Sequence, residues 1–141
     1  VLLRDGSAAV IFAAGVMVSM ALEAASVMAG DGVEVAVVNV SSIKPLDKEA
    51  VKKAVHDTRR IITAEDHTVV GGLGSAVAEV IAESGMGCAL RRLGIQDAFS
   101  PIGYHEDLMS LHGIDANGLV RAARETLKMD FEEDDDWTDE V

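Results

Sequence analysis

The chain has 141 residues, 49% of them apolar, which suits one packed domain rather than a disordered polymer. Its formal net charge of −12 is concentrated at one end: residues 130–141 hold eight acids and no Lys or Arg, so the body carries only −4. That balance leaves no basic footprint for nucleic acid, and no apolar run reaches the roughly 18 residues of a membrane span, because Glu23 interrupts the longest one.

Residues 1–3 are β-compatible and Asp5-Gly6 is a hairpin-type turn signal, predicting an antiparallel edge strand followed by a central one. The central strand is the apolar run 8–14 (AAVIFAA), whose lack of alternation fits a strand covered on both faces. Gly15 ends it. Over 16–29 a helix is expected, buried on more than one side, with Val16, Met20, Ala24 and Val27 near helical spacing. Gly30-Asp31-Gly32 closes that helix, and 33–40 (VEVAVVNV) is a second core strand. After a connection over 41–46, Asp47 is the expected N-cap of a helix that buries Ala50, Val51, Ala54 and Val55.

The third core strand, 61–64, runs into an acidic, histidine-bearing end (Glu65, Asp66, His67). Then follow a glycine-rich turn (Gly71, Gly72, Gly74) and a helix with Val77, Val80 and Ile81 inward. Gly85 and Gly87 stop that helix. Residues 89–95 form a fourth strand, placed near an edge by Arg91 and Arg92. An irregular connection containing Pro101 spans 96–103. Closing helices are expected over 104–112 and 115–129, the latter with Leu119, Ala123 and Leu127 on one face and an acidic N-cap. The domain thus covers 1–129, and 130–141 reads as a disordered acidic tail. Alternating strands and helices predict an α/β fold, a three-layer α/β/α sandwich whose five-stranded, mostly parallel sheet has one antiparallel edge strand. Ligands and partner surfaces gather at the carboxyl ends of such strands, here residues 14–15, 40–42, 65–67 and 94–95.

Several features carry candidate chemistry. Gly71-Gly72-Leu73-Gly74-Ser75, between strand and helix, has the form of an anion-cradling turn, but Val77 stands where a dinucleotide fingerprint needs glycine and no Walker lysine follows. A tight turn that lets the helix pack close is the preferred reading. Glu65, Asp66 and His67 have the composition of an acid/base set without an adjacent nucleophile, and contacts across a domain interface account for them as well. His56, His67, His105 and His112 lack metal-ligand spacing, and Cys88 stands alone, so no metal site is expected. The single cysteine excludes an intrachain disulfide and fits a reducing compartment, with the cytoplasm as the expected location. Met17, Met20 and Met28 read as core filling. The opening VLLRDGS is too short for a signal peptide, and a start at Val1 suggests a piece of a longer protein.

Three ordered stretches carry a family resemblance: 14–25 (AGVMVSMALEAA), 42–47 (SIKPLD) and 63–77 (TAEDHTVVGGLGSAV). In order and spacing they resemble the carboxyl-terminal domain of transketolase, over about residues 4–128. The resemblance implies the same mixed five-stranded sheet. It also implies a complete enzyme that moves a two-carbon ketol unit between sugar phosphates, with thiamine diphosphate and a divalent metal (Mg or Ca) held by other domains. This segment would then bind no cofactor, contribute no catalytic residue and act as a structural, dimer-supporting piece of a homodimer in carbohydrate metabolism (the pentose phosphate pathway). Its partners would be the remaining transketolase domains or a separate subunit, with Glu65, Asp66 and His67 facing them. Gly30-Asp31-Gly32 copies the family's metal-binding triplet, yet Asn39 is too near and Asn117 too far to complete it. Deoxyxylulose-phosphate synthase and the beta subunit of 2-oxo acid dehydrogenases share the domain and stand as alternatives; residues 94–99 (GIQDAF) resemble both transketolase and the synthase. Outside these families, the chain would be a stand-alone anion- or nucleotide-binding module using Gly71 to Ser75. A third reading has the acidic tail, with Phe131 and Trp137, docking on a basic partner.

Overall fold

The computed structural model describes residues 1–95, 109–111 and 113–129. In chain order the elements are β1 (Leu2–Arg4), β2 (Ala9–Ala13), α1 (Met17–Gly30), β3 (Val35–Asn39), α2 (Lys48–Thr58), β4 (Arg60–Thr68), α3 (Leu73–Ser84), β5 (Ala89–Ile95) and α4 (Ala116–Leu127). The strands form one sheet in the order β1-β3-β2-β4-β5. All neighbours are parallel except β1 and β3. This is the expected mixed sheet with a single antiparallel edge.

Every residue of β2 is buried, because helices cover both faces of the sheet. On one side α1 and α4 close over Ile11, Ala13, Val35, Val37 and Ile62, contributing Met17, Ala21, Met28, Leu119 and Ala123. On the other, α2 and α3 cover Val10, Phe12, Ala36 and Ile61 with Val51, Val55, Leu73 and Val77. Alternation along each strand sends successive side chains into these two cores.

Asp5-Gly6 does not form a hairpin. Instead β1 pairs with β3, Leu2 opposite Val38, and the chain then crosses the start of β3 to reach the sheet centre. Gly6 sits hard against that strand, where a Cβ would lie 2.5 Å from the Val35 carbonyl carbon. The turn signal was local, whereas the choice of partner strand belongs to the long-range parallel pairing of β2 with β3. The helix α1 also differs in phase from the expected stripe. Its buried residues are Met17, Ala21, Ala24, Ala25 and Met28, while Val16 precedes the helix and Val16 and Val27 are each half-exposed. Apolar residues surround α1, so periodicity alone misplaces its inner face.

Caps and stops fall where the residue chemistry puts them. Asp47 Oδ1 accepts from Ala50 N at 3.1 Å at the start of α2, and Asp115 Oδ1 accepts from Gly118 N at 2.8 Å at the start of α4. Gly30-Asp31-Gly32 forms the turn after α1, Gly32 taking a φ of +79°. Asp31 also pairs with Arg124 at 2.8 Å, tying that turn to α4. Arg60 anchors the end of α4, its guanidinium donating to the carbonyls of Thr126 and Met129, each at 3.0 Å. The connection 96–103 with Pro101, His105, His112, most of the helix expected over 104–112 and the tail 130–141 lie outside the described residues; 109–111 are helical.

Because Gly6 meets backbone rather than a yielding side chain, Gly6→Ala is expected to destabilise the chain by about 1–3 kcal/mol through overpacking. Gly30, with nothing within 4 Å of its added Cβ, is the control. Gly30→Ala should leave stability unchanged or raise it by up to about 1 kcal/mol. Denaturant titration of the two variants checks the contrast.

Candidate functional site

Strand β4 continues past the expected end at Ala64 and carries Glu65, Asp66 and His67 within it. Alternation places Thr63, Glu65 and His67 in one row, on the face covered by α3. The ladder to β5 is irregular here: Ala64 pairs with Leu93 but Thr68 with Ile95, so β4 spends four residue steps against two. The first turn of α3 lies across this row.

Glu65 is fully buried, against the expectation that it faces the strand-end edge. Its Oε1 accepts from Leu73 N at 3.1 Å and its Oε2 from Gly74 N at 2.7 Å. These are among the backbone donors that a helix start leaves unsatisfied, at the positive end of the helix dipole. Gly72 occupies the N-cap and has no side chain to serve them. A carboxyl group from the preceding strand does so instead. The glycine-rich turn therefore cradles a carboxyl group, and it is the chain's own Glu65.

Close approach explains the glycines. A Cβ on Gly72 would fall 1.8 Å from Glu65 Oε1 and 2.5 Å from His67 Cε1. One on Gly74 would meet Thr63 Oγ1 and the Arg92 stem, both at 2.9 Å. On β5, Gly94 makes the third clearance, with a Cβ position 2.8 Å from the His67 carbonyl oxygen and 3.1 Å from Glu65 Cγ. In the sequence Gly94 marks a strand end and belongs to the 94–99 resemblance; its clearing role is signalled only by an isolated glycine inside a strand pattern. Ser75 closes the turn, its hydroxyl donating to Val69 O at 3.0 Å and accepting from Gly71 N at 3.2 Å.

His67 is half-exposed, and its Nδ1 lies 3.0 Å from the Thr68 carbonyl oxygen and 3.1 Å from Glu65 Oε1. Both neighbours are acceptors, which assigns a proton to Nδ1 and leaves Nε2 without a hydrogen-bond partner among the described residues. Asp66 is half-buried beside it. Among the described residues no nucleophile joins the group: Ser75 is spent on the turn, and the Thr63 hydroxyl is fully buried without a partner. Nor do the described residues bring together three side chains able to hold a metal ion. The arrangement binds a helix to a strand and presents one oriented imidazole.

Elsewhere, a cleft of about 480 Å³ opens between α2 and the sheet face formed by Val10, Phe12, Ala36 and Val38. Its charged rim is already engaged, Asp47 as the α2 cap and Asp57 with Lys53. Cys88 is half-buried, and burial pushes its thiol up to about 11 despite the opposing charge of Arg59.

The family model for the transketolase C-terminal domain matches residues 1–119. A 1-deoxy-D-xylulose-5-phosphate synthase from Heliobacterium modesticaldum is 43% identical over 129 residues, 92% of this chain and 20% of the relative. A 6-deoxy-6-sulfo-D-fructose transketolase subunit from a Clostridium species is 44% identical over 124 residues, 88% of this chain and 38% of the relative. Among solved structures, a split-gene transketolase, described as an inactive beta4 tetramer, superposes with a TM-score of 0.85 at 35% identity, covering 90% of this chain and 41% of that one. The chain spans between a fifth and about two fifths of the length of the proteins it matches.

Replacing Glu65 strands two buried N–H groups, so Glu65→Ala is expected to lose about 2–5 kcal/mol. Formate should restore part of the melting temperature at an ionic strength where chloride does not, since the cavity keeps both donors. At neutral pH Cys88 should react with iodoacetamide much more slowly than a free thiol, the rate climbing about tenfold per pH unit until near 11, as mass spectrometry would follow.

Proposed function

The chain belongs to the transketolase C-terminal domain family, and from that premise we propose that it is the carboxyl-terminal domain of a transketolase. The complete enzyme moves a two-carbon ketol unit between sugar phosphates, and this domain is a structural part of it. One observation carries the division of labour: in the stretch that reads as a phosphate cradle, Leu73 N and Gly74 N are committed to Glu65 and Gly71 N to Ser75. A stand-alone anion- or nucleotide-binding role at Gly71 to Ser75 is disfavoured for the same reason.

The family's thiamine diphosphate supplies an electron sink when bound, but the described residues do not fit it. Asp31 of the Gly-Asp-Gly triplet is engaged with Arg124, and the α3 start is occupied by a carboxyl group. Cofactor and divalent metal therefore belong to the other domains of the enzyme. Those domains, in the same chain or in a separate subunit, are the proposed partners, and the transketolase subunit of 38% coverage supports that arrangement. We further read the complete enzyme as a homodimer. The half-exposed Val16, just before α1, and Val27, on a helix whose one outward charge is Glu23, support that reading. The lone, poorly ionised Cys88 suits a reducing, cytoplasmic setting.

The synthase relative, nearly as similar as the transketolase subunit, supports a second reading as the same domain of a 1-deoxy-D-xylulose-5-phosphate synthase. Product analysis separates the two. Supplied with thiamine diphosphate and magnesium, the 141-residue chain alone should turn over no sugar phosphate. Combined with its remaining domains it should exchange two-carbon units between ketose and aldose phosphates. Formation of 1-deoxy-D-xylulose 5-phosphate instead would select the second reading, and turnover by the chain alone would refute the structural role.

A further inference from the structure

We propose that His67 is a positioning residue for assembly: its Nε2 accepts a hydrogen bond from an N–H or O–H donor on the part of the enzyme that docks at the carboxyl edge of the sheet. This rests on the reading of the chain as one domain of a larger transketolase.

The α3 cap does not need His67. Glu65 already receives Leu73 N and Gly74 N, one on each oxygen. Nevertheless Nδ1 is held between two oxygens, Thr68 O at 3.0 Å and Glu65 Oε1 at 3.1 Å, and Gly72 and Gly94 leave the space that the imidazole and its carbonyl occupy. Such a setting fixes both the tautomer and the ring plane, as the supporting partners of functional histidines do. What it orients is Nε2, which has no hydrogen-bond partner among the described residues on a side chain that is 51% exposed.

The neighbourhood is that of a covered surface. Val70, three residues on, is 63% exposed, and Val16 is 50% exposed at the carboxyl end of β2, the strand paired with β4. Oriented polar groups among exposed apolar side chains are the pattern of an interface. The occupant follows from the family: the chain spans only 20% to 41% of the proteins it matches, so most of such an enzyme lies outside it and must contact this domain.

Two near-isosteres separate the positioning role from a structural one. In His67→Asn the amide sits near Nδ1 and keeps the contacts to Thr68 and Glu65 but lacks the outward group; in His67→Gln an amide reaches the Nε2 position. Each chain is melted alone and then titrated calorimetrically into the separately produced remainder of the enzyme. The expected result is an Asn variant that melts like the parent but binds about tenfold more weakly, the worth of one hydrogen bond, with Gln recovering most of the loss. An Asn variant that binds as tightly as the parent overturns the proposal, as does one whose weaker binding is matched by a lower melting temperature. The family reading has its own readout in the same experiment. Binding and two-carbon transfer by the parent chain uphold it whatever the His67 variants do, and their absence removes it.

Discussion

A carboxyl group buried beneath the start of a helix holds the centre of this domain. Glu65 gives one oxygen to Leu73 N and the other to Gly74 N, so the strand β4 and the helix α3 are joined by two hydrogen bonds that water cannot replace. A buried acid without such donors would be costly, and a buried helix start without an acceptor would be costly too. Each cancels the other's cost. Gly72, Gly74 and Gly94 are constrained by this pairing, since a methyl group at any of them collides with Glu65 or its neighbours in the row.

Around that contact the sheet is built from the middle outward. Strand β2, buried along its whole length, supplies residues to both cores, and β3 and β4 flank it in parallel. Parallel pairing needs crossover helices, and α1 and α2 supply them on opposite faces. The short β1 adds the antiparallel edge, reached by a crossing at Gly6 that tolerates no side chain. At the far side Arg60 and the Asp31–Arg124 pair fasten α4 across its face. These polar ties sit at element ends, where backbone carbonyls and turn residues need partners.

The arrangement also explains how residues with the outward signs of an active site serve to pack a helix onto a strand. Carboxylate, imidazole and glycine-rich turn are adjacent in sequence as they are in many catalytic loops. In space the carboxyl group turns inward and takes Leu73 N and Gly74 N, while the imidazole stays half-exposed. Sites in α/β sheets belong at the carboxyl edge, and among the described residues this edge exposes His67, Val16 and Val70.

Much of the fold was legible in residue order. The apolar run of β2, the β-branched run of β3, Asp47 and Asp115 as caps and Gly85 as a stop depend on local chemistry, and local chemistry is written in neighbouring residues. The inner face of α1 was not legible, because a helix apolar on most sides has no periodic signal to read. Nor was the partner of β1, because Leu2 pairs with Val38, far along the chain. By itself the sequence determined an α/β domain of recognisable kin, since periodicity and the spacing of its motifs survive without coordinates. Only the tertiary structure decided that Glu65 points inward and satisfies Leu73 and Gly74, because the direction of a side chain at the end of a strand depends on which helix lies over it.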